Sequence, residues 1–270
     1  MVTVLRPLSM GELLDRTFYL YRNNFPLFVG ISAIPQLFVL ALRLSGAAIS
    51  IEQQWIGFVL TTFFAIFANY IAIQISHAAT VIAVSNLHLD RPVSIRSAYA
   101  SAKGSLLRVL GITLAIGIAA GVGLIFFFIS GVYLFLMWSL AIPATVLERG
   151  GLSLSTSRSR ELTRGSRGRI FVIYVLLGLL AFVVGLIIEW PMGIIGQLIA
   201  HRNPAETLPL VEAMQAAGGF VSTSLVGPLV TIALTLIYYD QRVRKEGFDL
   251  ELMMARLQPG PETVIAGPNP

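Results

Sequence analysis

Long stretches without a charged side chain dominate the chain, and they predict transmembrane helices. A span needs about 20 apolar residues to cross a hydrocarbon core of about 30 Å. Six segments meet this requirement, at about 25–44, 55–87, 105–126, 128–147, 169–189 and 219–239. The second is 33 residues without Lys, Arg, Asp or Glu. That is longer than a bilayer requires, so it is expected to tilt or to project beyond the membrane. The third and fourth come from one 43-residue run, 105–147, in which only Arg108 is charged. As a single helix that run would be roughly 64 Å long. It therefore folds back as a hairpin, with its turn between Gly121 and Gly131. Between the fifth and sixth spans, 189–217 is partly apolar but interrupted by Pro191, Gly193 and Gly196. It reads as an interfacial or partly re-entrant segment. The predicted fold class is all-α: a polytopic membrane protein with one six-span domain over 1–258 and a disordered tail over 259–270.

The polar segments between spans resemble each other. Ser94 to Gly104 precedes span three, and Ser155 to Gly165 precedes span five. At an offset of 61 they share the opening Ser, a basic–Gly pair (Lys103-Gly104, Arg164-Gly165) and a basic residue four positions on (Arg108, Arg169). Gly11 to Arg22 is a looser third copy, with Leu13, Leu14, Thr17, Phe18 and Tyr21 on one helical face. Each pair of spans is thus preceded by a short amphipathic helix at the interface, which predicts a threefold repeat of interfacial helix plus helical hairpin. Gly117 and Gly121 form a small-residue motif, expected to close spans three and four on each other.

Composition agrees with a membrane chain. Of 270 residues, 56% are hydrophobic and 12% charged, against roughly 25% charged in soluble domains. The mean hydropathy is +0.79. The net charge of +5 and pI of about 9.8 acquire meaning from their placement. Seventeen of the 19 Lys and Arg lie before span one, between spans two and three, between four and five, and after six; only Arg43 and Arg202 lie on the other side. The positive-inside rule then puts both termini in the cytoplasm. The basic excess is a topology signal rather than a nucleic-acid footprint, since no soluble basic domain or aromatic platform accompanies it. The first 24 residues carry Arg6, Glu12, Asp15, Arg16 and Arg22 without an apolar h-region, so span one is expected to act as its own insertion signal.

Candidate chemistry is sparse. There is no cysteine, hence no disulfide, thiolate metal site or Cys nucleophile. His77, His88 and His201 leave little room for a metal cluster, and no cofactor is expected. No catalytic motif occurs in a suitable context. In span two, Asn69, Ser76, His77 and Thr80 fall on one face. They could line a path for a head group, with His77 as a proton site, or bond between helices. Glu148 lies where span four ends, beyond Pro143, and Arg158, Arg164, Arg167 and Arg169 follow. Such a cluster suits the phosphate of an anionic lipid head group; it equally suits an interfacial ion pair with topological anchoring. Glu189 falls at the far interface. After span six, Asp240/Arg244, Arg242/Glu246 and Lys245/Asp249 are i,i+4 pairs, and Gly247 can end that helix. Leu250, Met253, Met254 and Leu257 then make one apolar face, suited to the bilayer surface or the other interfacial helices.

Three stretches carry a family resemblance: LDRPVS (Leu89 to Ser94), WSLAIPATVLERGGLSLSTSRSRELTRG (Trp138 to Gly165) and YYDQRVRKEGFDL (Tyr238 to Leu250). Together they resemble the membrane domain of glycerophosphoryl diester phosphodiesterases, over nearly the whole chain and with the same six spans. One position departs, Arg160, where the family carries an aromatic residue. The third stretch includes Tyr239, Asp240, Arg242, Arg244, Glu246, Gly247 and Asp249, and reads as a signature of architecture. In some members this domain is fused to a soluble hydrolytic barrel. A barrel needs about 250 residues of its own, for which this chain has no room. The resemblance implies a bacterial plasma-membrane location and a membrane domain without the enzyme. The expected role is a non-catalytic scaffold or lipid-interacting module, partnered by anionic lipids of the cytoplasmic leaflet and by another membrane protein. The alternative is a transporter or flippase-like carrier of a small amphipathic or glycerophosphodiester-type solute, using the polar face of span two. An enzyme is the weakest reading.

Overall fold

A computed structural model of the chain describes residues 7–47, 55–200 and 204–247. Arg6, His201, Arg202, Asp249, the apolar face from Leu250 to Leu257, Arg256 and the tail 259–270 lie outside the described residues.

The described residues are helical, without strands, and fall into three successive units. The first holds α1 (Met10–Asn23), α2 (Phe25–Ala47) and α3 (Trp55–His88). The second holds α4 (Ile95–Ala102), α5 (Leu106–Phe126), α6 (Phe128–Met137) and α7 (Ala141–Glu148). The third holds α8 (Leu152–Thr163), α9 (Arg167–Ala200) and α10 (Pro204–Glu246). Six helical segments are long and apolar enough to cross a membrane, α6 and α7 together making the fourth. In each unit a short helix leads into a hairpin of two spans.

Local sequence sets the boundaries. Ser9 caps α1: its Oγ accepts from the Glu12 N–H at 3.3 Å while its own N–H donates to Glu12 Oε2 at 2.7 Å. Ser94 and Ser97 exchange the same pair of bonds at the start of α4. These reciprocal bonds satisfy donors that a helix start otherwise leaves unpaired. The second span of every unit ends at a left-handed residue: Asp90 (φ 56°), Arg149 (φ 53°) and Gly247 (φ 65°). LDRPVS is therefore the reversal out of α3. Asp90 turns the chain, Pro92 cannot continue a helix, and Ser94 caps the next one.

The hairpin turn of the second unit falls at Phe127, an extended residue between α5 and α6, inside the expected window. The glycines that permit close approach are not the expected ones. A Cβ on Gly131 would lie 2.4 Å from the backbone N of Leu124, whereas one on Gly117 or Gly121 would meet nothing within 4 Å. At 3.6 residues per turn Gly121 is rotated about 200° from Gly123, which does face Gly131. The Gly117/Gly121 motif therefore points away from the hairpin partner.

The interfacial or re-entrant reading of 189–217 is also corrected. Helix α9 continues through Pro191 to Ala200, and α10 begins at Pro204. Proline at 191 removes one N–H, the donor to the Ile187 carbonyl. The two helices hold each other beyond it: a Cβ on Gly196 would meet Val211 at 2.8 Å, and one on Gly218 would meet the Met192 sulfur at 3.0 Å. At 1.5 Å per residue these helices run roughly 51 and 64 Å, so the hairpin extends well past a core of about 30 Å.

Helix α10 is the centre of the molecule, packed on α9, α2, α3 and α1. Its apolar window is 67% buried; those of the third and fifth spans are only 17% buried, so α5 and α9 are mostly left for lipid. Ala78, Ala79 and Ala83 of α3 are fully buried. Small side chains let helices approach closely where lipid supplies no hydrophobic drive between them.

The short helices close a ring. Each packs chiefly on the second span of the preceding unit: α4 on α3, α8 on α7, and α1 on α10. Hydroxyls make the joints. Tyr21 of α1 donates to the Leu225 carbonyl at 2.7 Å. Tyr99 of α4 donates to the Ile31 carbonyl, the group that Pro35 leaves without its helical donor. Ser159 and Thr163 of α8 donate to the Met137 carbonyl at 2.9 and 3.1 Å, at the break between α6 and α7. In α1, Leu13, Thr17 and Leu20 are buried while Phe18 is 44% exposed. The amphipathic face thus docks on protein, with Phe18 at its outer edge.

Candidate functional site

The ends carrying the basic residues gather on one face, and two linked ion-pair clusters hold them. The first is centred on Asp240 at the end of α10, whose side chain is fully buried. Its Oδ2 accepts from Arg169 of α9 at 2.8 Å and from Arg244 at 3.0 Å. Its Oδ1 accepts the backbone N–H of Leu8 at 2.7 Å. Arg169 and Arg244 also donate to the Leu8 carbonyl, at 2.7 and 2.6 Å. One carboxylate and two guanidinium groups thereby clamp the lead-in to α1 onto the last hairpin.

The second cluster runs through α7, α8 and α10. Arg158 Nε donates to both oxygens of Glu148, at 2.9 and 3.1 Å. Its Nη1 lies 2.6 Å from Glu246, which pairs with Arg242 at 3.0 Å. Tyr238 donates to Glu148 at 2.6 Å, and the Arg242 guanidinium lies 5.9 Å from the Tyr238 ring centre. Burial opposes the charge on Arg158, but hydrogen bonds to Glu246 and Glu148 outweigh it and raise its pKa above the ordinary arginine value. Charge-assisted bonds of this kind are the strong ones, and they fix geometry as well as energy. Two further contacts complete the clasp. Lys245 donates to the carbonyls of Glu161 and Arg164 at 2.6 and 2.7 Å, and Tyr239 shares a 2.7 Å hydrogen bond with Ser85 of α3.

The structure thus joins the two longer sequence signatures. Glu148 and Arg158 from one meet Tyr238 and Glu246 from the other, and Arg169, four residues beyond the first stretch, meets Asp240. The i,i+4 pairs Asp240/Arg244 and Arg242/Glu246 form as expected. The offset of 61 also has a physical basis. Arg108 donates to the Arg149 carbonyl at the end of α7, and Arg169 pairs with Asp240 at the end of α10. Each ties the start of a hairpin to its exit.

The remaining candidates distribute differently. Arg167 stacks over the Tyr133 ring at 4.4 Å and donates to its hydroxyl. Arg164 is exposed beside Gly165, which ends α8 with φ 82°. Arg160 is exposed, and α8 seats through Ser155, Ser159, Leu162 and Thr163. In α3, Ser76 and Thr80 are buried, Ser76 donating to the Ala72 carbonyl at 2.9 Å. Asn69 and His77 are half-buried. None of these four lines the apolar cleft between the outer halves of α2 and α3 or the polar cavity at the opposite end. Among the described residues no three His, Asp or Glu side chains are grouped so as to hold a metal ion.

Sequence reasoning read Tyr238 and Tyr239 as an interfacial aromatic belt, whereas both are buried and Tyr238 bonds Glu148; it also missed the hydroxyl joints at Tyr21, Tyr99, Ser159 and Thr163. Pro35 gave a usable signal for Tyr99, since a proline orphans the carbonyl four residues back. For Met137 the nearest marker was Pro143, in the first turn of α7 just past the break, which marks a helix start but does not say which side chain meets the freed carbonyl.

A family model described as the membrane domain of glycerophosphoryl diester phosphodiesterase matches residues 112–259. That window contains both clusters except for Leu8. No curated protein and no solved structure matches the chain.

Proposed function

Because the chain belongs to the glycerophosphoryl diester phosphodiesterase membrane-domain family, and is a multi-pass membrane protein, we propose that it is a non-catalytic scaffold that engages anionic lipid. It would reside in a bacterial plasma membrane with both termini in the cytoplasm. The observation that carries this reading is the clasp. Glu148, Asp240 and Glu246 all pair with arginine, which supports a role for these three in holding helices together rather than in acid–base chemistry. Around the clasp, Arg96, Lys103, Arg149, Arg160 and Arg164 stay exposed on the same face. Leu152 and Leu154 are 51% and 58% exposed beside them. Basic groups interleaved with exposed apolar side chains suit a lipid head-group layer.

On this reading Arg160 and Arg164 contact lipid phosphate directly, while Arg158, Arg167, Arg169 and Glu148 hold the surface in shape. The family's other known setting, fusion to a hydrolytic barrel, is consistent with a membrane module that positions a partner. The carrier reading has less support, since Ser76 and Thr80 are packed between helices.

The test uses nanodiscs of mixed phosphatidylglycerol and phosphatidylcholine, with the protein's lipid shell measured by mass spectrometry. Wild type should enrich phosphatidylglycerol, and Arg160→Glu with Arg164→Glu should remove most of the enrichment. Equal shells for wild type and variant would refute lipid engagement. Hydrolysis of a glycerophosphodiester by purified protein, abolished by Glu148→Gln, would refute the non-catalytic part.

A further inference from the structure

At the end opposite the clasp lies a cavity of about 550 Å³ between α2, α9 and α10. Arg43, Glu189, Trp190, Gln197 and Gln215 line it. Arg43 is 18 residues into α2 from Phe25, and Glu189 is 20 residues beyond Arg169. At 1.5 Å per residue both are roughly 27–30 Å from the basic face, which is the depth of the far interface.

Two features make the pairing of residues informative. Arg43 is the sole charged residue of α2, and Glu189 the sole charged residue of α9 beyond Arg169. Among the described residues Arg43 is also the one cation at this end, held against the charge bias of the whole chain. Yet no ion pair joins Arg43 to Glu189. Opposite charges face one cavity without neutralising each other. Two carboxamides supply donors and acceptors, and an indole offers a face to a cation.

The geometry points to a binding site here for a zwitterionic phosphate–ammonium head group. Arg43 takes the phosphate, Glu189 takes the ammonium, Trp190 stacks on the cationic end, and Gln197 and Gln215 bond the remaining oxygens. The apolar cleft of about 440 Å³ on the neighbouring flank of α2, lined by Phe38, Leu42, Phe67 and Ile71, starts at the residue before Arg43 and suits an acyl chain. The head group can come from a phospholipid of that leaflet or from a water-soluble zwitterion. No residue is shared with the basic face, so failure here leaves the scaffold reading untouched.

The experiment measures binding to the purified full chain in detergent by thermophoresis. The probes are short-chain phosphatidylethanolamine, short-chain phosphatidylglycerol and free phosphoethanolamine. Wild type should prefer phosphatidylethanolamine. Arg43→Ala and Glu189→Ala should each weaken that affinity about tenfold or more, and Glu189→Ala should also erase the preference over phosphatidylglycerol. Binding of phosphoethanolamine as well supports the site with a water-phase source, and binding of the lipid alone supports it with a leaflet source. The inference is overturned if neither zwitterion binds or if wild type does not distinguish the two lipids. It is equally overturned if Glu189→Gln, which keeps the side-chain shape, and Arg43→Gln, which removes the charge, leave affinity within about twofold.

Discussion

Asp240 gives the sharpest test of the clasp. Replacing it with Ala removes the acceptor shared by Arg169, Arg244 and the Leu8 N–H. Arg169, only 19% exposed, is left as a largely buried charge without its counter-ion. Breaking a buried pair in this way costs about 3–5 kcal/mol, mostly for the charge left behind. Arg244 is 38% exposed and paired at i,i+4; that ion pair is worth about 0.3–0.5 kcal/mol, and its exposed bond to the Leu8 carbonyl, which Arg169 also serves, adds about 0.5 kcal/mol. The two substitutions should therefore differ by roughly a hundredfold in an opening equilibrium, since 1.4 kcal/mol is about tenfold. The chain has no cysteine, so a single engineered thiol reports opening without background. Leu13 in α1 is fully buried. In a Leu13→Cys protein in mild detergent, labelling by a thiol-reactive dye follows release of α1 from α10. Asp240→Ala should accelerate labelling at least about a hundredfold, Arg244→Ala by less than about tenfold. Similar rates for both would mean that the Asp240 cluster is ornamental, and the clasp argument would fail.

Two other substitutions probe the membrane interior. Tyr99→Phe leaves the Ile31 carbonyl with only a long 3.5 Å contact from Ser76, and should cost about 1–2 kcal/mol in denaturant unfolding. In a Pro35→Ala background, where a helical N–H again serves that carbonyl, the same change should cost markedly less; equal costs would refute the pairing of the proline with the hydroxyl. Gly131→Ala drives a Cβ into the Leu124 backbone and should lower the melting temperature by several degrees. Gly117→Ala and Gly121→Ala face open space and should leave it nearly unchanged, so a large drop at either would place the hairpin contact there after all.

The sequence shows its architecture because lipid imposes simple rules. A helix that satisfies its own backbone groups is the economical way for one segment to cross the core, so uninterrupted apolar length marks spans. Charge bias marks which ends share a face. The i,i+4 pairs after Tyr239 were legible for the same reason, since one helix fixes both partners. The Gly117/Gly121 and 189–217 expectations failed where contact depends on rotation between helices. Sequence shows that a glycine permits approach, but not toward which neighbour it is turned. Pro191 looked like a break because its cost is local, whereas the packing of α9 along α10 that offsets it joins residues far apart in sequence.

By itself, then, the sequence determined six spans, three short leading helices and the concentration of positive charge on one face. Each follows from local composition and a helical period. Only the tertiary structure decided what the charged signatures do. Asp240 meets Arg169 across 71 positions and the Leu8 N–H across 232, and no local pattern encodes such pairs. The Leu8 contact depends on α1 closing the ring against α10, and the Arg169 contact on α9 pairing with α10. The packing of α2 and α9 on α10, rather than any motif, brings Arg43 and Glu189 to one cavity at the far face.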